Sequence, residues 1–318
     1  MPAFMFPPAM LLLSGSLALQ TVTAHDADRS AELERRLAGP DGEILVVAHR
    51  GCWLDTAENS LAAIDACVAM GVDMVEIDTR RTRDGVLVLM HDATVDRTTD
   101  GSGKLADLSL AEIRRLRLRS AAGGKGVGTT AWRVPTLAEA LAHAKGRILV
   151  NVDAKEDVRD IAATEVQALG MARQVLFKTE APAATLAGKQ WVSRAAFEPI
   201  INQRKLKGEM HEAIASYDVF KPVAYEIVFN DIAFLDEAVA TLRGKPVRIW
   251  ANTLDYDFSG GHVDRIALID PDAVWGMMRD RGVDAIQTDQ PRALLAYLDR
   301  TAPALSRDGS TALTGQEQ

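Results

Sequence analysis

Residues 45–51 read LVVAHRG. An unbroken apolar run ends on His49, Arg50 and Gly51. A strand that is apolar throughout is buried on both faces, as in a parallel sheet covered by helices. Its polar stop has two readings: a chance loop, or the rim of a functional site. The neighbouring sequence decides between them.

Similar runs recur: ILVVAH (44–49), MVEID (74–78), VLVLMH (86–91), RILVNV (147–152), QVLFK (174–178), AAFEPI (195–200), YEIVF (225–229), VRIWA (247–251) and DAIQT (284–288). Helix-like segments lie between most of them, at 60–70, 136–145, 156–170, 231–243, 271–281 and 291–299. This alternation predicts an α/β fold, a TIM-type (β/α)8 barrel over residues 44–302. Nine runs compete for eight places. The run at 86–91 follows a turn-like RDG at 83–85, so it reads as a hairpin partner or a short extension. An open doubly wound sheet is the alternative, but no Gly-rich dinucleotide fingerprint follows the first strand. Residues 98–134, rich in Gly, Ser, Thr and Arg, read as an inserted excursion over the barrel mouth. Residues 25–43 form a lead-in, and the polar stretch 303–318 reads as a frayed tail.

The 318 residues are 47% hydrophobic and 25% charged, an ordinary globular balance. The net charge of -8 disfavours nucleic acid as a partner. Residues 1–24 carry no charged side chain and hold the apolar core AMLLLSGSLAL, with Val22 and Ala24 at the -3 and -1 positions of a cleavage site. They read as a signal peptide and imply export to the periplasm or medium. No later segment is apolar and long enough for stable membrane insertion. Of the two cysteines, Cys67 reads as core and Cys52 as close to the site; a bridge between them is the less favoured reading.

Polar residues gather where strands end: His49 and Arg50, then Glu76 and Asp78, His91 and Asp92, Asp153 and Lys155. Side chains alternate along a strand, so Glu76 and Asp78 point the same way. Each group has a bland explanation: ion pairs with Arg80 and Arg81, a loop histidine, or charges at a helix start. Their joint placement on one barrel rim favours a site. Glu76, Asp78 and Asp153 form an oxygen donor set suited to one divalent cation, Ca2+ or Mg2+. Arg50 and Lys155 suit phosphate oxygens. His49 and His91 supply a general acid and a general base. Together these describe phosphodiester cleavage.

AHRG, AENS (57–60), VEIDTRRTRDGVLVLMHDATVDRTTDGSG (75–103) and GVDAIQTDQP (282–291) resemble the glycerophosphodiester phosphodiesterase family. The resemblance runs over about residues 44–300. It implies a metal-dependent barrel hydrolase that releases glycerol 3-phosphate and an alcohol from a small-molecule glycerophosphodiester. It implies that His49 and His91 are the acid/base pair, Glu76 and Asp78 metal ligands, and Arg50 the phosphate-binding arginine. Glu58 matches the acidic residue of a Glu-Asn-Thr motif, with Ser60 in place of Thr. Trp250 matches a tryptophan that lines the pocket. Glu58, Trp250, Arg50 and Lys155 are thus expected to bind substrate.

Two departures stand out. Asp153 occupies the place of a glutamate in a Glu-x-Lys pattern, as in sphingomyelinase D-type relatives. CWLDTAENS replaces a Gly-rich, Pro-containing stretch, so Trp53 either shapes the alcohol side of the pocket or packs beneath the loop. The alternative function is a lipid-directed phosphodiesterase of the lysophospholipase D or sphingomyelinase D kind. It would expose an apolar mouth near 98–134 or 253–262. A barrel that only binds phosphodiesters or partners is disfavoured by the histidine pair.

Overall fold

The computed structural model describes residues 24–301. In chain order the strands are β1 (Leu45–Ala48), β2 (Met74–Arg81), β3 (Leu87–Leu89), β4 (Arg117–Arg119), β5 (Thr129–Arg133), β6 (Leu149–Ala154), β7 (Val175–Thr179), β8 (Ala196–Asn202), β9 (Ala224–Val228), β10 (Arg248–Asn252) and β11 (Ala285–Thr288). Strands β1, β2 and β6 to β11 pair side by side and in parallel, and β1 also pairs with β11. The ring is therefore a closed eight-stranded barrel with helices between its strands. The run at 86–91 lies outside it: β3 is the antiparallel hairpin partner of β2, with Thr79 opposite Leu89.

Local chemistry sets the helix ends. The Ser60 hydroxyl accepts the Ala63 N–H at the start of Leu61–Met70, and Gly71 ends that helix at φ 83°. Thr136 and Glu139 form a reciprocal capping box at the start of Leu137–Ala144.

Odd and even strand positions separate two cores. Outward residues such as Val46, Val75, Val150, Phe177 and Ile286 pack under the helices. Inward residues Val47, Met74, Leu149, Leu176, Trp250 and Ala285 fill the lower barrel. The lead-in contains a helix, Ala24–Leu37, that the sequence reading did not anticipate. Its Leu33 and Leu37 join the inward core and are buried. Full burial of a leucine contributes about 1.5–3 kcal/mol. Buried Arg248 ties the lead-in down by donating to the carbonyls of Arg36 (2.8 Å), Glu43 (3.0 Å) and Asp284 (3.1 Å). The amino end of the barrel is thereby sealed.

Leu105, Ile113, Leu118 and Val134 of the excursion form a separate small core with Val88, Met90 and Val95 before it, joined by Ala57. The excursion includes the two-stranded β4–β5 sheet, which the sequence reading missed. Its Ala121 N–H donates to Thr56 O (2.7 Å), so it packs on the loop after β1. Gly123 sits at φ 67°, where a Cβ would lie 2.3 Å from Arg97 O, so only glycine fits that turn.

Cys52 and Cys67 form a disulfide, which corrects the unbridged reading. Their Cα atoms are 5.2 Å apart because the loop after β1 folds back on the following helix. Gly51 makes that approach close: a Cβ there would meet the Ala63 Cβ at 2.7 Å. The leader 1–23 and the tail 302–318 lie outside the described residues.

Candidate active site

The site occupies the carboxyl end of the barrel. β2 and β6 are in register, Glu76 with Asn151 and Asp78 with Asp153. One carboxylate oxygen each from Glu76, Asp78 and Asp153 lies within 4.8 Å of the other two. Glu76 Oε2 accepts the backbone N–H of Arg50 (3.0 Å). Asn59 brackets Asp78: its Nδ2 donates to Asp78 Oδ2 (2.7 Å), and its Oδ1 accepts the Asp78 N–H (2.9 Å). Arg50 and Asn59 hold φ near +56° and +54°. Non-glycine residues rarely adopt that conformation, and it persists where surrounding bonds fix it.

The cations lie close. Lys155 Nζ is 2.9 Å from Asp78 Oδ1 and 2.7 Å from Asp153 Oδ2. Lys178 Nζ lies 3.8 Å from Asp153 and 3.5 Å from Glu226. Arg50 Nε is 3.4 Å from Asp78 Oδ2. Burial, with Asp78 next, pushes the Glu76 carboxyl upward. Burial acts the same way on Asp78 and Asp153, but Lys155 and Arg50 override it at Asp78, and Lys178 and Lys155 at Asp153. Both are held below the usual carboxylate range.

Each histidine is tethered through Nδ1. His49 Nδ1 meets Asp289 Oδ1 at 2.8 Å. His91 Nδ1 meets Asp92 Oδ1 at 2.7 Å. An ionised carboxylate only accepts, so a proton on Nδ1 completes each bond and leaves Nε2 outside it. Burial lowers the His49 pKa, but the Asp289 hydrogen bond and the Glu76 charge outweigh it, and the net direction is upward. Behind His91, Arg97 donates its Nε to Asp92 Oδ2 (2.7 Å) and two nitrogens to Glu58 (2.8 and 2.7 Å).

Glu58, expected to bind substrate, stands in this structure as the counter-ion of Arg97. It is buried, and both its oxygens serve Arg97, with Arg50 Nη1 3.3 Å away. Trp250, also expected at the substrate, stands deeper in the barrel. It is fully buried in the inward core beneath the polar residues and donates its indole N–H to Asn252 Oδ1 (2.9 Å), so it does not line an open cleft. Trp53 is half-buried at the rim and donates to Asp289 Oδ1 (3.1 Å). The sequence reading assigned no role to Asp92, Arg97, Lys178 or Asp289. The polar ends of QVLFK and of the Thr-Asp-x-Pro motif were the available signal for the last two.

The donor chemistry fits a hard divalent cation: three carboxylates, with no cysteine or histidine among them. Asp78 Oδ1 is buried with no aligned hydrogen-bond donor, although the Lys155 ammonium lies near it, so it keeps lone-pair capacity for a cation.

Fold and rim define a TIM-type barrel with an acid–histidine site at its strand ends. Residues 49–293 match the glycerophosphoryl diester phosphodiesterase family, and the chain belongs to that family. It is 44% identical over 110 residues to glycerophosphodiester phosphodiesterase 1 of Bos taurus, covering 33% of this chain and 31% of that protein. It is 40% identical over 115 residues to a glycerophosphodiester phosphodiesterase of Caldanaerobacter subterraneus subsp. tengcongensis, covering 36% and 46%. These matches thus span less than half of the curated relatives' lengths, 31% and 46%. A glycerophosphoryl diester phosphodiesterase structure from Parabacteroides distasonis superposes with a TM-score of 0.69 at 24% identity, covering 88% of this chain and 95% of that one. An Oleispira antarctica phosphodiesterase solved with its product sn-glycerol-3-phosphate superposes with a TM-score of 0.59 at 20% identity, covering 80% and 96%. At these identities the structural likeness concerns the fold.

Proposed function

We propose that this protein hydrolyses glycerophosphodiesters to glycerol 3-phosphate and an alcohol, with one divalent cation, Ca2+ or Mg2+, at Glu76, Asp78 and Asp153. The observation that carries the reading is the carboxylate cluster on the same rim as two histidines, each tethered through Nδ1, with Nε2 making no hydrogen bond among the described residues. Family membership supports it, as does the product in the Oleispira neighbour.

In the proposed mechanism, Arg50 and Lys155 bind the phosphate oxygens. When bound, the cation supplies charge neutralisation on the phosphoryl group. One histidine takes the proton of the substrate's glycerol 2-hydroxyl, whose oxygen attacks phosphorus. The other gives its proton to the departing alcohol. The resulting cyclic phosphate is opened by water with the two roles reversed. The test is to measure glycerol 3-phosphate and free alcohol released from water-soluble glycerophosphodiesters, with and without chelator. Release of neither product in saturating Ca2+ or Mg2+ would overturn the reading.

A lipid-directed phosphodiesterase is the second reading. It is favoured by Tyr256 and Phe258, which are 56% and 36% exposed on the segment that follows β10. A preference for long-chain over water-soluble substrates would select it.

We also propose export. The apolar leader supports it, and so does the Cys52–Cys67 bridge, because disulfides persist in oxidising compartments. Mature protein should begin at or near His25; an intact Met1 on cytoplasmic protein would contradict this.

A further inference from the structure

Asp289 closes β11 at the rim and belongs to the Thr-Asp-x-Pro stretch. Its Oδ1 meets two ring nitrogens, His49 Nδ1 at 2.8 Å and Trp53 Nε1 at 3.1 Å. Among the described residues no arginine or lysine pairs with it, whereas Asp92 shares its charge with Arg97. Asp289 is itself held from behind by Asp264, which is buried (6% exposed) on the segment after β10. Asp264 Oδ2 accepts the Asp289 backbone N–H (2.7 Å). Asp264 Oδ1 accepts the hydroxyls of Thr288 (2.7 Å) and Thr253, and its own N–H donates to Thr253 O (2.6 Å). One carboxylate thus pins the ends of β10 and β11 together, and the second hangs from that joint beneath the His49 ring.

A carboxylate buried this deeply is costly unless donors converge on it. Three donors do so at Asp264: the Asp289 N–H and the Thr288 hydroxyl from the end of β11, and the Thr253 hydroxyl from the end of β10. The Trp53 N–H then fixes which way the Asp289 carboxylate turns. Trp53 follows Cys52, whose disulfide holds that loop to the Leu61–Met70 helix. Every part of the arrangement fixes the position of one oxygen, and that oxygen faces His49.

We propose that Asp289 is the positioning residue for His49, fixing its Nδ1–H tautomer and ring orientation, and that Asp264 and Trp53 form the brace that holds Asp289. This rests on the reading of His49 as a proton-transfer residue only for its consequence in rate. The structural claim concerns the imidazole itself.

The test uses full-length mature protein with 15N-labelled histidine, at an alkaline pH where the imidazole is neutral. Wild-type His49 should show a protonated Nδ1 and a bare Nε2. A protonated Nε2 would overturn the proposal without any variant and without any substrate. In Asp289→Leu, which removes the acceptor, the preference should collapse to a mixture and kcat should fall roughly 10–100-fold, the usual worth of a carboxylate that orients a functional histidine. In Asp289→Asn the Trp53 N–H should hold the amide oxygen at the Oδ1 place and turn the NH2 group away from His49, so this variant should retain the tautomer and recover part of that loss. Trp53→Phe, which deletes one donor and keeps the bulk, should cost less than Asp289→Leu. The decisive comparison repeats Asp289→Leu in a His49→Ala background. A positioning role predicts little further loss there. An equal fold-loss in both backgrounds would mean that Asp289 only supports the fold. If the assumed substrate is wrong, the tautomer result still stands or falls alone.

Discussion

Breaking the Cys52–Cys67 bridge should destabilise the protein by about 3 kcal/mol and loosen the His49–Arg50–Gly51 loop. The two residues are 15 positions apart, and a loop of that length loses about 3 kcal/mol of closure entropy in the unfolded chain when cross-linked. The bridged loop contains the left-handed Asn59 backbone and begins two residues after Arg50, so the folded state also leans on it. Both sulfurs are buried, so comparing oxidised with reduced wild type isolates the bond better than cysteine substitution, which would also leave a cavity. The reduction should be done on unfolded protein, followed by refolding and thiol counting. In domains of 150–250 residues, 1 kcal/mol moves Tm by about 2–4 °C, so the shift here should be roughly 6–12 °C, towards the lower end for this longer chain. Urea unfolding should show a lower midpoint with little change in slope. Activity of the reduced form should fall at temperatures well below its Tm. Oxidised and reduced forms that unfold within about 0.5 kcal/mol of each other would refute the reasoning, because chain entropy and loop strain would both have been misjudged.

Asp78→Asn should abolish divalent-cation binding, read by calorimetry with Ca2+ and Mg2+, while circular dichroism stays near wild type, because this rim carboxylate adds little to the apolar core. Exhaustive chelation should silence wild-type activity, and adding either ion should restore it; undiminished turnover without metal would contradict the cluster's role. Asp153→Glu should lower activity, since the extra methylene overreaches a cluster confined to 4.8 Å; unchanged kcat/KM would show that the shorter ligand is not tuned to this site. Asp92 is held well below the usual carboxylate range, chiefly by its Arg97 hydrogen bonds. A depressed carboxylate contributes stability above its unfolded pKa of about 4, and that contribution drains away as pH falls towards its folded value. The stability gap between wild type and Asp92→Asn should therefore be widest near neutral pH and narrow steadily below about pH 4; a gap that stays constant into acid would contradict the assignment.

The barrel was legible because its strands are buried on both faces, which leaves unbroken Val, Ile and Leu runs that no surface element needs. The same logic exposed the rim, since a run such as LVVAHRG changes chemistry only where the strand leaves the core. The carboxylate cluster could be read because two of its members share one strand at a spacing of two. What stayed hidden depends on closure in three dimensions. His49 and Asp289 are 240 positions apart, and no local pattern announces their bond. Arg97 reads as one more basic residue of a polar loop until Gly123 folds the excursion back against it. The height of Trp250 inside the barrel follows from strand register, which a motif match does not carry. The disulfide was undervalued because the fold-back of the loop over Gly51 has no signature except the glycine itself.

The two ends of this barrel carry opposite burdens. At the carboxyl end, Glu76, Asp78, Asp153, Glu198 and Glu226 put five acidic side chains near the interior, against Lys155, Lys178 and Arg50. Burial, with Glu226 next, drives the Glu198 carboxyl well above its ordinary range, and neither of its oxygens has a hydrogen-bond partner among the described residues. Such a layer opposes folding, since a buried polar group without a partner costs about 1–3 kcal/mol. The amino end offsets it. There Trp250, Met74, Leu149, Leu176 and the lead-in leucines form a wholly apolar floor, and Arg248 is satisfied by three carbonyls and Asp41. The helix that supplies Leu33 and Leu37 lies outside the family match at residues 49–293, yet it closes the end of the barrel that has no chemistry to perform. Its contribution is stability, which offsets the cost of a rim where three carboxylates lie within 4.8 Å of one another.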